Sequence, residues 1–191
     1  MAGRQSSEYA ILGMLSLRPM SGYDIRKTVQ ESIQYFWSES YGQIYPALKR
    51  LEAQKLVERA RGARKGRAGR QVYALTRAGR RELQEWLTRP PHMQPFRNEL
   101  LLKLFFGRLA PREACQQHLR HFRQRQEDFL RTYGQVERWL HTEHEGHPDL
   151  PFWLMTLSYG VHQARALRDW CDETLAALEK SGKVRNKRKR G

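Results

Sequence analysis

Apolar positions fall at helical spacing through most of the chain, interrupted by glycine, proline and charge. Residues 7–17 (SEYAILGMLSL) carry Tyr9, Ile11, Leu12, Leu15 and Leu17 and predict a first helix, broken by Arg18-Pro19-Met20. A second helix is predicted to open at Ser21, with Asp24 three residues on. That is capping-box spacing: the Ser oxygen takes a free backbone N–H, and the acid sits at the positive helix end. Ile25, Val29 and Ile33 line one side of it. Ile44, Leu48 and Leu51 mark a third helix within SYGQIYPALKRLEAQKLV, residues 40–57. Ser40 and Gln43 repeat the capping-box spacing, so this helix is predicted to begin just after Ser40, with Gly42 and Pro46 in its first turns.

The period then changes. LVERARG (56–62) and RQVYALT (70–76) alternate roughly, and ARKGRAG between them holds glycines and cations, which predicts a two-stranded hairpin. Thr76 can cap a fourth helix, 77–87, that buries Leu83, Trp86 and Leu87. Residues 88–98 (TRPPHMQPFRN) carry three prolines and no periodicity, and mark a boundary. Beyond it the pattern is helical again. NELLLKLFFGRL is strongly apolar, and a long helix follows from Pro111. Its Cys115, Leu119, Phe122, Gln126, Phe129, Tyr133, Val136 and Leu140 form a heptad seam with one polar member, which requires a partner helix. After a break at EHEGHPDLP, a last helix carries Leu154, Leu157, Val161, Ala164, Leu167, Cys171, Leu175 and Leu178 on one side. SGKVRNKRKRG reads as a basic, disordered arm. Four segments result: a domain over 1–88, a linker over 89–98, a helical domain over 99–180 and a tail over 181–191.

Three short helices followed by a hairpin is the order of a winged helix-turn-helix, whose third helix enters the DNA major groove. The fold class is therefore mainly α with a small β-hairpin: an N-terminal winged helix-turn-helix domain and a C-terminal helical dimerisation domain. Charge agrees with that reading. The 191 residues carry a formal net charge of +15, which suits a polyanionic partner. Opposite its apolar side the third helix offers Gln43, Ala47, Lys49, Arg50 and Gln54; Gln pairs with adenine, and Lys and Arg with guanine or phosphate. The hairpin tip carries Arg61, Arg64, Lys65, Arg67 and Arg70 without an acid, suited to phosphate and minor-groove contact. Arg77, Arg80 and Arg81 extend the strip at a helix start, where cations oppose the helix dipole. A solvated charged face is the plainer reading of such runs; their position where a winged helix needs cations favours the functional one.

WSESYGQIYPALKRLEAQKLVE, followed by RAGRQVYALTRAGRREL, resembles the PadR family of bacterial transcriptional regulators. The first stretch is similar to that family's tryptophan and Gly-x-hydrophobic-Tyr-Pro-x-Leu-x-x-Leu-Glu pattern. The second is similar to its (Lys/Arg)-x-x-Tyr-x-Leu-Thr-x-x-Gly pattern, and LLLKLFFGRL is similar to its Leu-Lys-Leu-x-Phe segment. The resemblance implies a homodimeric repressor of a pseudo-palindromic double-stranded DNA operator, released by a small aromatic effector such as a phenolic acid. It implies operator contacts from Ser40, Gln43, Tyr45 and Lys49, from Tyr23 at the start of the second helix, and from the wing cations. One position departs from the pattern: Lys55 stands where the family has glycine before the first strand. A left-handed turn there costs a non-Gly residue about 1 kcal/mol.

Other features add less. The seam of the long helix (Leu119, Phe122, Phe129, Tyr133) and the facing side of the last helix (Leu154, Leu157, Val161) suit an intrachain core or a dimer interface. A two-fold operator favours the interface. Phe105, Phe106, Trp153 and Tyr159 could line an effector pocket, although aromatics more often fill an ordinary core. His141, His144 and His147 beside Glu143 and Glu145 lie where Gly146 and Pro148 end a helix, so a solvated turn is favoured over a zinc site. No G-x-S-x-G elbow, P-loop or dinucleotide fingerprint is present, so neither an enzyme nor a cofactor is implied. No apolar run approaches the roughly 20 residues of a membrane span. The two cysteines, Cys115 and Cys171, read as thiols of a reducing compartment, the bacterial cytoplasm and its nucleoid. A basic protein binding RNA or the nucleoid without regard to sequence is the alternative.

Overall fold

The computed structural model describes residues 6–34, 36–37, 41–60, 71–91 and 97–188, with the side chains of residue 41 and residues 181–188 left aside. The chain divides into two compact units, 1–93 and 94–191.

The first unit runs α1 (Ser6–Leu17), β1 (Met20–Ser21), α2 (Gly22–Glu31), α3 (Tyr41–Ala53), β2 (Val57–Arg59), β3 (Val72–Leu75) and α4 (Arg77–Leu87). The sheet has three antiparallel strands in the order β1-β3-β2, not the two the sequence predicts. The added strand is two residues long: Met20 faces Tyr73 and Ser21 faces Val72. No alternation can reveal so short a strand. Leu12, Met20, Ile25, Leu48, Leu51 and Val57 form the fully buried centre. Trp86 packs against that core, its ring stacked on Tyr9 at 4.6 Å, whereas Leu87 points to solvent, contrary to the helical pattern.

Three local devices hold these elements. Ser21 and Asp24 form the expected capping box, with Asp24 N–H donating to Ser21 Oγ (3.2 Å) and Ser21 N–H to Asp24 Oδ2 (3.0 Å). At the end of α3, Lys55 adopts φ 58°, the left-handed turn anticipated at this position. Leu56 N–H closes on the Leu51 carbonyl and Lys55 N–H on that of Glu52, a Schellman motif. Thr76 then links that turn to α4: its hydroxyl donates toward the Lys55 and Leu56 carbonyls (2.8 and 3.0 Å) and accepts from Gly79 N–H (3.0 Å).

The second unit contains α5 (Glu99–Phe105), capped by Asn98, a 3-10 turn (Gly107–Leu109), α6 (Arg112–Glu143) and α7 (Leu150–Arg188). α6 and α7 pack antiparallel, with Arg123 bonded to Asp172 (2.5 Å) and Gly160 lying under the Tyr133 ring. The partner that the α6 seam requires is thus α7 of the same chain. Cys115, Leu119, Gln126, Tyr133 and Leu140 are buried there, with Ala164 and Cys171 from α7. Phe122, Phe129, Val136, Leu154, Leu157 and Val161 are half-buried along the same seam. This corrects the interface reading for Leu119 and Tyr133, which are enclosed within the chain. The polar seam member is satisfied inside its own helix, as Gln126 Nε2 donates to the Phe122 carbonyl (3.3 Å). Burial pushes the Cys171 thiol upward in pKa, reinforced by Asp172. α7 continues through Arg188, where the sequence predicts an unstructured arm from residue 181. Among the described residues no helix is long and apolar enough to cross a membrane.

Candidate nucleic-acid interface

α3 seats on the first unit through Ile44, Ala47, Leu48 and Leu51, all buried. Ala47 therefore faces inward with the apolar stripe, not toward the open side where the sequence pattern places it beside Gln43 and Lys49. A residue this small carries no apolar signal of its own in the pattern. The opposite side of α3 presents Gly42, Gln43, Tyr45, Pro46 and Lys49, all exposed, and Gln54 just past its end is exposed as well. Tyr45 lies against the first residue of α2, Gly22, and Tyr23 beside it is also exposed. Tyr45 thus marks the exposed edge where α3 meets α2 beside Tyr23, while Gln43 and Lys49 are exposed elsewhere on the open side of α3. The cations Arg77, Arg80 and Arg81 are exposed in the first turns of α4. Ser40 and the wing cations Arg61, Arg64, Lys65, Arg67 and Arg70 lie outside the described residues.

Arg50 differs from its neighbours. Its Nε donates to Glu8 Oε1 of α1 at 2.7 Å; the Glu8 side chain is 6% exposed and that of Arg50 43%. On the other flank of α3, Glu52 accepts from Arg59 Nε of β2 at 2.8 Å. Burial, and next the nearby Glu52 carboxylate, push the Tyr73 phenol upward in pKa. Sequence reasoning missed Glu8, because its partner lies 42 residues away and no local pattern marks it.

In the second unit the proposed effector residues fall into separate groups. Phe105 and Phe106 meet edge to face at 5.0 Å near the end of α5. Trp153 instead stacks on His147 (4.6 Å) and meets His144 (5.2 Å) at the α6–α7 turn. Phe105, Phe106 and Tyr159 are exposed, which removes the ordinary-core reading for them within a single chain. Leu101, Leu102 and Leu109 beside the phenylalanines, and Phe152 and Met155 beside Tyr159, are exposed as well. Among the described residues no group of three His, Cys, Asp or Glu converges as a metal set.

A helix-turn-helix backed by a small sheet, with a polar face on its second helix, defines a winged-helix regulator of transcription. Residues 11–85 match the transcriptional regulator PadR-like family, and residues 96–179 match the virulence activator alpha C-terminal family. Over residues 11–85 the chain carries the match to the PadR-like family of transcriptional regulators, which is not a family of enzymes. It is 29% identical over 178 residues to the negative transcriptional regulator PadR of Bacillus subtilis, covering 91% of this chain and 97% of the relative. The crystal structure of B. subtilis PadR in complex with operator DNA matches with TM-score 0.77 at 27% identity, over 91% of this chain and 99% of that one. The same regulator in complex with p-coumaric acid matches with TM-score 0.73 at 26% identity, over 92% and 99%.

Proposed function

We propose that this chain is a homodimeric repressor that binds a pseudo-palindromic operator in the bacterial cytoplasm and is released by a small aromatic effector. The observation that carries this reading is the exposed open side of α3, with Gln43, Tyr45 and Lys49, on a helix-turn-helix whose other helix exposes Tyr23. One relative, the negative transcriptional regulator PadR of Bacillus subtilis, is known in complex with operator DNA. Gln43 and Lys49 read base edges. Tyr45, Tyr23 and Ser40 contact the backbone, and Arg64, Lys65, Arg67 and Arg70 supply phosphate contacts from the wing. If about six phosphates are neutralised, affinity falls about 10³-fold between roughly 50 and 200 mM salt.

Dimerisation is supported by side chains that one chain leaves in water. Phe105 is 82% and Leu109 81% exposed, with Leu101, Leu102 and Phe106 beside them and Phe152, Met155 and Tyr159 on α7. Covering a large apolar side chain yields about 1.5–3 kcal/mol, so a second copy of the chain seated on these residues gains more than most surface polar contacts give. The half-buried Phe122, Phe129, Leu154, Leu157 and Val161 are secondary contributors. Two recognition helices then address half-sites about one helical turn, ~34 Å, or a multiple of it apart.

For the effector, Phe105, Phe106, Trp153 and Tyr159 offer aromatic surface to a planar phenolic acid such as the p-coumaric acid bound by B. subtilis PadR. Titrating phenolic acids while following Trp fluorescence and operator affinity tests this. A fluorescence change with loss of operator binding supports it, and no response to any of them contradicts it. A second reading, activation, is favoured by the match of residues 96–179 to a virulence-activator family. A reporter behind the bound promoter separates the two, since a repressor lowers its output and an activator raises it. Sequence-blind binding to RNA or the nucleoid remains the competing class, excluded by a strong preference for operator over random DNA.

A further inference from the structure

We infer that Arg50 is a positioning residue for the recognition helix, held by the buried carboxylate of Glu8, and not one of its DNA contacts. This rests on the operator-binding reading above and specifies which cations of α3 take part in it.

The apolar stripe Ile44, Ala47, Leu48 and Leu51 seats α3, but apolar burial is non-directional and leaves the roll of a helix about its axis loosely defined. A charge-assisted hydrogen bond is short and directional. α3 carries one on each flank of the stripe: Arg50 to Glu8 of α1 at 2.7 Å, and Glu52 to Arg59 of β2 at 2.8 Å. The two are not equivalent. Glu52 and Arg59 are 30% and 63% exposed, in the range where ion pairs contribute little, whereas Glu8 is 6% exposed. A carboxylate so far out of water holds its donor firmly, because transferring that donor to a phosphate removes a charge-assisted bond from a buried charge.

The roll of α3 matters for base reading. A helix with side chains is about 10–12 Å across, so a roll of ~10° displaces its rim by ~1 Å. Hydrogen bonds to base edges span only about 2.7–3.2 Å, so that displacement breaks them. Phosphate contacts from flexible side chains tolerate it. Loss of the Glu8–Arg50 tie therefore lowers discrimination between sequences and leaves nonspecific affinity in place.

The test uses the full chain, an operator duplex found by footprinting upstream of its own gene, and a scrambled duplex, with binding read by fluorescence anisotropy at several salt concentrations. Glu8→Gln and Arg50→Met are each expected to lower the preference for operator by about tenfold. Scrambled-duplex affinity and the salt slope stay those of the unaltered protein, and the double variant is no worse than the weaker single one. Should Glu8→Gln not fold, Arg50→Met decides alone, since preference and slope are read on the same protein. A salt slope reduced by about one, with both duplexes weakened alike, would make Arg50 a phosphate contact and overturn the inference. So would a fall in melting temperature with the preference intact, which is a purely structural role. Failure of the operator-binding reading itself is distinguishable, because the unaltered protein would then show no preference.

Discussion

The ring of Tyr45 on α3 lies against the backbone of Gly22, the first residue of α2: a Cβ at position 22 would stand 2.7 Å from Tyr45 Cε1 and 3.0 Å from Cζ. The two helices of the helix-turn-helix meet here at their exposed edge, where Tyr45 keeps 57% of its surface in water. Gly22→Ala should barely change stability. The ring can swing outward, and Gly22 stands at the first position of α2, where a glycine-to-alanine change alters helix propensity little. Operator affinity should fall by roughly five- to tenfold, because a displaced Tyr45 no longer meets the DNA. Thermal unfolding and anisotropy check both halves; an unchanged operator affinity would remove Tyr45 from the interface.

Gly79 is the opposite case. A Cβ there would stand 2.1 Å from the Leu56 carbonyl oxygen, 3.0 Å from its carbon and 2.8 Å from Leu75 Cδ1. Backbone cannot swing aside, so α4 must move off the sheet. Gly79→Ala should cost more than about 2 kcal/mol in urea unfolding. A midpoint equal to that of the unaltered protein would refute the close approach.

Lys55 occupies φ 58°, a conformation glycine adopts without cost. Lys55→Gly should raise stability by about 0.5–1 kcal/mol, seen as a higher urea midpoint at constant slope. A lower midpoint would mean that the Lys55 side chain contributes more than its backbone strain.

Phe105 is 82% exposed in the single chain. Phe105→Glu should convert a dimer into a monomer at micromolar concentration in sedimentation, because burying an unpaired carboxylate in an apolar interface is costly. A dimer that survives the change would place the interface elsewhere, and a monomeric unaltered protein would remove it.

What could be read beforehand depended on how local its cause was. The Ser21–Asp24 box and the Thr76 cap each depend on a few neighbouring residues and stand as expected, and the left-handed turn at Lys55 stands where the PadR pattern has glycine. The α3 stripe was legible from Ile44, Leu48 and Leu51, but Ala47 was misassigned, since a methyl group signals neither face. Distant pairings were illegible. β1 is two residues long and exists only through β3, some fifty positions on. The Glu8–Arg50 bond depends on the packing of α1 on α3. The α6 seam was visible as a seam, but heptad periodicity does not tell whether the partner helix is α7 or a second chain. Only the buried Leu119 and Tyr133, set against the exposed Phe105 and Leu109, separate the two surfaces.

The central claim is that the exposed edge of α3 reads a DNA sequence. It is tested most directly by anisotropy titration of the unaltered protein and Lys49→Ala against the operator duplex and a scrambled one at fixed salt. The unaltered protein should prefer operator by about 10³-fold or more. Lys49→Ala should weaken operator binding by about 1–3 kcal/mol while changing scrambled binding much less. Equal affinity of the unaltered protein for the two duplexes, with Lys49→Ala weakening both alike, would contradict sequence reading by this helix and leave only a basic surface.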